Sequence, residues 1–228
     1  MAKKQFSKYF DHTLLAPEAT EYDIRMLCKE AAKYDFYSVC VNSCYVEQAK
    51  KELASLNAEH IKIAAVVGFP LGAAHSTVKT YETSCACFYG ADEIDMVINV
   101  GALIDGRLEY VKNEIAAIRQ KANENDAIVK VILETCLLTE AEIEKACRCV
   151  METGANFVKT STGFNERGAD TETIRFMKNI VGERVMIKAS GGIRDLKTAR
   201  DMIVAGADRL GTSNTVNIMK EYLSAFDR

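Results

Sequence analysis

Residues 154–159, Gly154-Ala-Asn-Phe-Val-Lys159, decide how this chain folds. A glycine able to stop a helix in the left-handed conformation is followed at once by a short apolar run, the junction at which a helix gives way to a strand. The phrase returns as Gly90-Ala-Asp-Glu-Ile-Asp95 and Gly206-Ala-Asp-Arg-Leu-Gly211, and more faintly as Asp35-Phe-Tyr-Ser-Val-Cys40. Such an echo marks a repeated supersecondary unit. Outward from it lie eight β-rich runs: YFDHTLL, FYSVCVN, IKIAAVVG, EIDMVIN, IVKVILE, NFVKTS, RVMIKASG and DRLGTS. Between them apolar residues recur at helical spacing, as in Leu108, Val111, Ile115 and Ile118, and in Ile143, Ala146, Cys147 and Val150. Thr139 with Glu142 three residues later reads as a capping box at a helix start. Strands alternating with helices define parallel βα units, and eight of them in 228 residues predict a single-domain α/β protein, a (β/α)8 TIM barrel over residues 1–228. A doubly wound sheet is the alternative, but its G-x-G-x-x-G turn after the first strand is absent.

The net charge of -3, with basic residues scattered, argues against nucleic acid or an anionic membrane as the main partner. No apolar run approaches the roughly 20 residues of a membrane span. The start MAKKQFSKYF lacks the apolar stretch of a signal peptide, so a cytoplasmic location is expected. The eight cysteines then read as reduced thiols. Cys85 with Cys87 and Cys147 with Cys149 are spaced C-x-C inside helical patterns, unlike a zinc site, and His12, His60 and His75 are too dispersed for a metalloprotease motif. The expectation is chemistry on a small molecule without metal or other cofactor. Barrels of this type commonly pair, so a homodimer or higher homo-oligomer is the expected partner state.

In each echo the residue five places after the opening one breaks the apolar expectation: Cys40, Asp95, Lys159 and Gly211, on strands 2, 4, 6 and 8. Alternate strands of a barrel supply the four side chains of one interior layer, which directs Lys159 toward Asp95. Lys130 and Lys188 place further charges on strands 5 and 7, the charged positions following one another at roughly the length of one βα unit, about 30 residues. A lone strand lysine is ordinarily an edge residue or half of an ion pair. Four charges on neighbouring strands ask for more, because a buried ionic network adds little stability over an apolar core. Lys159, desolvated and beside the cation Lys188, has its pKa lowered, and a neutral amine forms Schiff bases with carbonyls. Asp95 is placed to exchange protons, with Lys130 balancing its charge. The loops Thr160-Ser-Thr-Gly163, Ser190-Gly-Gly192 and Gly211-Thr-Ser213 offer backbone N–H groups and hydroxyls where barrels often hold phosphate. Asp11, in FDHTLL, is either a supporting site residue or a local backbone cap at a strand–loop junction. Cys40 is a supporting candidate beside the plainer reading of a core thiol. Glu134 is open between site and structure, and His12 reads as structural.

DHTLL, VCVN, VVGFPLG, GADEIDMVIN, KVILET, FVKTSTG, KASGGIR and RLGTS, spread from residue 11 to residue 213, together resemble the deoxyribose-phosphate aldolases. FVKTSTG followed by KASGGIR is the specific part. The resemblance implies a class I aldolase on a (β/α)8 barrel, cleaving 2-deoxy-D-ribose 5-phosphate to glyceraldehyde 3-phosphate and acetaldehyde. By resemblance Lys159 forms the Schiff base, Lys188 tunes it and Asp95 relays protons, while Gly163, Gly191, Gly192 and Ser213 hold the phosphate. Three departures stand out. Phe164 takes the place of a lysine found in some members, and Asn214 that of a frequent second serine. The chain ends AFDR without the terminal tyrosine that serves longer relatives as a proton shuttle, which leaves water or Asp95 to move that proton. A sugar-phosphate binding protein without catalysis, and an aldolase for another phosphosugar, are the competing expectations.

Overall fold

The computed structural model describes residues 6–225. The closing Phe226, Asp227 and Arg228, on which the reading of a missing terminal tyrosine falls, lie outside the described residues. Eight strands form a closed barrel in sequence order, each parallel to its neighbours. They are β1 (Phe10–Leu14), β2 (Ser38–Asn42), β3 (Lys62–Val67), β4 (Glu93–Val97), β5 (Ile128–Ile132), β6 (Phe157–Lys159), β7 (Met186–Ser190) and β8 (Arg209–Thr212). All eight expected runs are strands.

Helices fill the crossovers: α1 (Glu21–Tyr34), α2 (Val46–Ser55), α3 (Ser76–Tyr89), α4 (Val100–Ile104), α5 (Leu108–Asn123), α6 (Glu140–Thr153), α7 (Thr171–Val181), α8 (Leu196–Ala205) and α9 (Thr215–Ser224). Their ends follow local chemistry. Thr139 and Glu142 form the expected capping box on α6. The echo positions Gly90, Gly154 and Gly206, at φ 110°, 70° and 117°, close α3, α6 and α8 and turn the chain into the next strand. Asp35, the faint fourth copy, does the same for α1 at φ 55°. No helix among the described residues is long and apolar enough to cross a membrane.

Alternation along each strand divides the buried side chains between two cores. Val39, Val41, Ile94, Met96, Val129, Val131, Ile187 and Leu210 face outward and pack beneath the helices, where most of the apolar burial lies. Leu15, Cys40, Ala64 and Val66 form a much smaller cluster within the barrel. The rest of the interior is polar. Register pairs Asp11 with Ser38, Thr13 with Cys40, Asp95 with Lys130, Ile132 with Lys159 and Ser190 with Gly211. Residues of matching phase therefore stack in layers. Ser38, Glu93, Phe157 and Arg209 lie lowest, Asp11, Ala64, Lys130 and Lys188 above them, and Cys40, Asp95, Lys159 and Gly211 above those, toward the C-terminal mouth.

Candidate active site

Lys159 ends β6 in the third of these layers, only 2% exposed. Its Nζ donates to Asp95 Oδ2 at 2.8 Å. Lys188 Nζ donates to the same oxygen at 2.8 Å and lies 2.5 Å from Asp11 Oδ2. Lys130 holds the other side of Asp95, donating to Oδ1 at 2.7 Å, and meets Glu93 Oε2 at 2.5 Å. Arg209 closes the floor: it donates to Asp11 Oδ1 at 2.7 Å and stacks over the Tyr37 ring at 3.4 Å. Gly211 completes the Lys159 layer by being small. A Cβ there would come to 2.9 Å from Lys188 Cε, so the missing side chain is the space that the Lys188 stem occupies.

These contacts set the protonation states. Burial drives the Lys159 amine below the ordinary lysine value; the Asp95 carboxylate works against this, and the Lys188 ammonium adds to it. Lys188 moves the other way: burial is outweighed by Asp11 and Asp95, and it stays charged. Lys130 is likewise raised, burial being overcome by Asp95 and Glu93. Burial pushes the carboxyls of Asp95 and Asp11 up, yet the surrounding cations hold both well below the usual carboxylate range. One axis thus carries a depressed lysine between a fixed cation and a fixed anion.

Above this layer the barrel opens into a cavity of about 430 Å³. Lys159 lies at its base, and the candidate phosphate residues Gly163, Gly191, Gly192 and Ser213 line its wall. Phe164 and Asn214 line it too. Arg194, an exposed residue, is among the residues lining it. The loops after β6 and β7 touch backbone to backbone. A Cβ on Gly168 would lie 2.2 Å from the Gly191 carbonyl carbon, and the Ala169 N–H donates to the Ser190 and Gly191 carbonyls. Only glycine permits that approach.

The remaining candidates divide. Cys40 sits in the Lys159 layer with Sγ 4.0 Å from Asp95 Oδ2, but burial pushes its thiol up, so it is held as an uncharged S–H. Asp11 is not at a strand–loop junction and caps nothing; it is the second residue of β1, fully buried and paired with three cations, Lys188, Arg209 and, at 3.7 Å, Lys130, because the strand begins at Phe10. His12 faces outward between Thr215 Oγ1 at 3.1 Å and Glu30 Oε2 at 2.9 Å, a structural role. Glu134 lies behind the β6 loop and accepts from the Thr162 hydroxyl at 2.5 Å. Glu93, Arg209, Gly168 and Arg194 had not been singled out from the sequence. Glu93 and Arg209 were within reach, since each lies two residues before an inward position, Asp95 and Gly211.

A parallel barrel whose mouth presents a desolvated lysine, a carboxylate 2.8 Å away and a glycine-lined hollow is built for carbonyl chemistry on a small polar molecule. Comparison with known proteins gives that class its particular form. A family model described as DeoC/LacD family aldolase matches residues 6–219, and the chain belongs to that family, a group of carbon–carbon lyases. It is 52% identical over 220 residues to the deoxyribose-phosphate aldolase of Thermococcus kodakarensis, covering 96% of this chain and 98% of the relative. To the deoxyribose-phosphate aldolase of Clostridium tetani it is 50% identical over 217 residues, 95% of this chain and 99% of the other. Among solved structures, the tetrameric deoxyribose phosphate aldolase from Aeropyrum pernix superposes with a TM-score of 0.91 at 33% identity, over 98% of this chain and 93% of that one.

Proposed function

We propose that the chain cleaves 2-deoxy-D-ribose 5-phosphate reversibly to glyceraldehyde 3-phosphate and acetaldehyde through a Schiff base on Lys159. The observation that carries this is the lowered pKa of a buried Lys159 whose Nζ contacts Asp95 at 2.8 Å. The relatives' activity and their length, nearly that of this chain, support the substrate. The neutral amine attacks C1 of the open-chain sugar. Asp95 takes and returns protons, directly or through water, as the carbinolamine loses water to the imine. Removal of the C3 hydroxyl proton breaks the C2–C3 bond, releasing glyceraldehyde 3-phosphate. The electron pair stays on C2 as an enamine, which is protonated and hydrolysed to acetaldehyde. Between proton transfers Lys188 and Lys130 return Asp95 to its ionised form and keep it in place. At the far end the Gly163, Gly191, Gly192 and Ser213 backbone receives the phosphate, and Arg194, which lines the same cavity, is the basic side chain proposed to assist it where Phe164 offers no charge.

Borohydride added with acetaldehyde is expected to reduce the imine and add mass at Lys159, and Lys159→Ala to abolish glyceraldehyde 3-phosphate release in a coupled assay. Labelling at another lysine, with Lys159 untouched, would refute the assignment.

We also propose that copies of the chain associate. Val78, Tyr81 and Phe88, 56%, 72% and 81% exposed, form an apolar stripe at helical spacing along α3, and the Aeropyrum relative is tetrameric. Eight unpaired cysteines fit a reducing compartment, and a cytoplasmic location completes the proposal.

A further inference from the structure

Glu134 is a buried carboxylate, 2% exposed, with no cation paired to it among the described residues. It is also a non-glycine residue in the left-handed region, at φ 58°, two residues after the end of β5. Both features are costly and persist only where surrounding contacts require them. Here all the strong donors come from one residue of the neighbouring loop. The Thr162 hydroxyl donates to Glu134 Oε2 at 2.5 Å, and the Thr162 N–H lies 3.3 Å from both carboxylate oxygens. The hydroxyl oxygen of Thr162 then accepts the Phe164 N–H at 3.1 Å. The Phe164 ring in turn meets Phe69, from the loop after β3, edge to face at 5.2 Å between centroids.

This chain of contacts fixes which donors the β6 loop can offer a ligand. The Thr162 hydroxyl proton and N–H are spent on Glu134, and the Phe164 N–H on Thr162. The N–H of Gly163, between them on the cavity wall, has no internal acceptor among the described residues. We propose that Glu134 is a positioning residue for the anionic end of the substrate: by engaging Thr162 on both its hydroxyl and its N–H, it turns the Gly163 N–H toward the phosphate. Glu134 touches neither the substrate nor Lys159. The inference rests on the aldolase reading above and adds a residue to it.

Two readouts separate this role from a general structural one. The first is the steady-state cleavage of 2-deoxyribose 5-phosphate. The second is deuterium uptake from D2O into the acetaldehyde methyl group, which passes through the Lys159 enamine and involves no phosphate. Glu134→Ala is expected to raise KM for the phosphosugar by about tenfold or more, with kcat and deuterium uptake changing by no more than about threefold. Glu134→Gln, which still accepts from the Thr162 hydroxyl, should recover most of the KM. Thr162→Val removes the same contact from the other side, should reproduce the KM effect, and carries the test if Glu134→Ala does not fold. An unchanged KM in these variants, or KM and deuterium uptake deteriorating together, overturns the positioning role. Absence of deuterium uptake in the wild-type protein would instead overturn the Schiff-base assignment itself, and with it this inference.

Discussion

Replacing Lys188 by methionine keeps most of the side-chain volume in the gap left by Gly211 and removes one charge from the barrel axis. The Lys188 and Lys159 nitrogens each lie 2.8 Å from Asp95 Oδ2. At a separation of about 5 Å and an effective dielectric of about 20, their mutual repulsion is roughly 3 kcal/mol. Loss of that repulsion favours the Lys159 ammonium by on the order of a hundredfold, and the uncompensated negative charge on Asp11 and Asp95 acts in the same direction. The sign follows from the nucleophile being the neutral amine. In the wild-type protein kcat/KM falls as pH drops through the lowered Lys159 pKa. In Lys188→Met the acid limb should move up by about 2 pH units, so that activity lost at neutral pH returns as the solution is made alkaline. The assay is glyceraldehyde 3-phosphate release across pH, with the borohydride-trapped fraction at Lys159 measured in parallel. An acid limb left in place, with kcat reduced equally at every pH, would show that Lys188 does not set the state of Lys159.

Two further outcomes follow from the framework around the site. Lys79 and Glu114 form a fully buried ion pair at 2.8 Å between α3 and α5, with Lys79 also donating to the Val97 carbonyl; Lys79→Met strands the carboxylate and should cost about 3–5 kcal/mol, seen as a lower melting temperature that Lys79→Met/Glu114→Gln largely restores. Tyr81→Lys with Phe88→Glu puts charge on the exposed α3 stripe, and light scattering should then report a smaller species than the wild-type protein gives; an unchanged mass would remove α3 from the interface.

The order of elements and the phase of the barrel were legible because their causes are local. A left-handed glycine ends a helix whatever surrounds it, and three such junctions, with Asp35 in the same conformation at a fourth, show which strand positions face inward. Lys159, Lys188, Lys130 and Asp95 stood out because a charge is conspicuous inside an apolar run. Glu93 and Arg209 escaped notice for the opposite reason: they open their strands, where a charge after Gly-Ala-Asp looks like part of a turn, although parity with Asp95 and Gly211 points them inward. The sequence reading puts Asp11 too near a loop because FDHTLL gives no sign of where pairing starts. Gly168 could not be found at all from its own neighbours. What demands glycine there is the Gly191 backbone, brought close only when two loops fold over each other. Lys79 lies in STVKTYETS, which reads as a solvated helix face, and is buried where the helix docks on Glu114 of α5, the Val97 carbonyl and Gly68.

The residues added by the structure explain why Lys159, rather than one of its neighbours, is the depressed amine. With Glu93 and Arg209 included, the linked axis holds three carboxylates, Asp11, Glu93 and Asp95, and four basic groups, Lys130, Lys159, Lys188 and Arg209. Arg209 does not give up its proton in a protein. Lys188 and Lys130 each contact two or more carboxylates, which raises both of them, whereas Lys159 contacts Asp95 alone. Three cations therefore neutralise three anions, and a proton on Lys159 would leave net charge in a medium that solvates it poorly. The base with the fewest carboxylate contacts is the one left uncharged, and it is also the one at the floor of the cavity, where an incoming aldehyde meets it. Nucleophilicity at Lys159 is in this sense a property of the whole column down to Arg209. A charge-changing substitution at the bottom of the barrel, such as Arg209→Met, should act on the pH profile in the same direction as Lys188→Met and more weakly, because Arg209 reaches Lys159 only through intermediate groups, by Asp11 and Lys188 on one side and by Glu93 and Lys130 on the other.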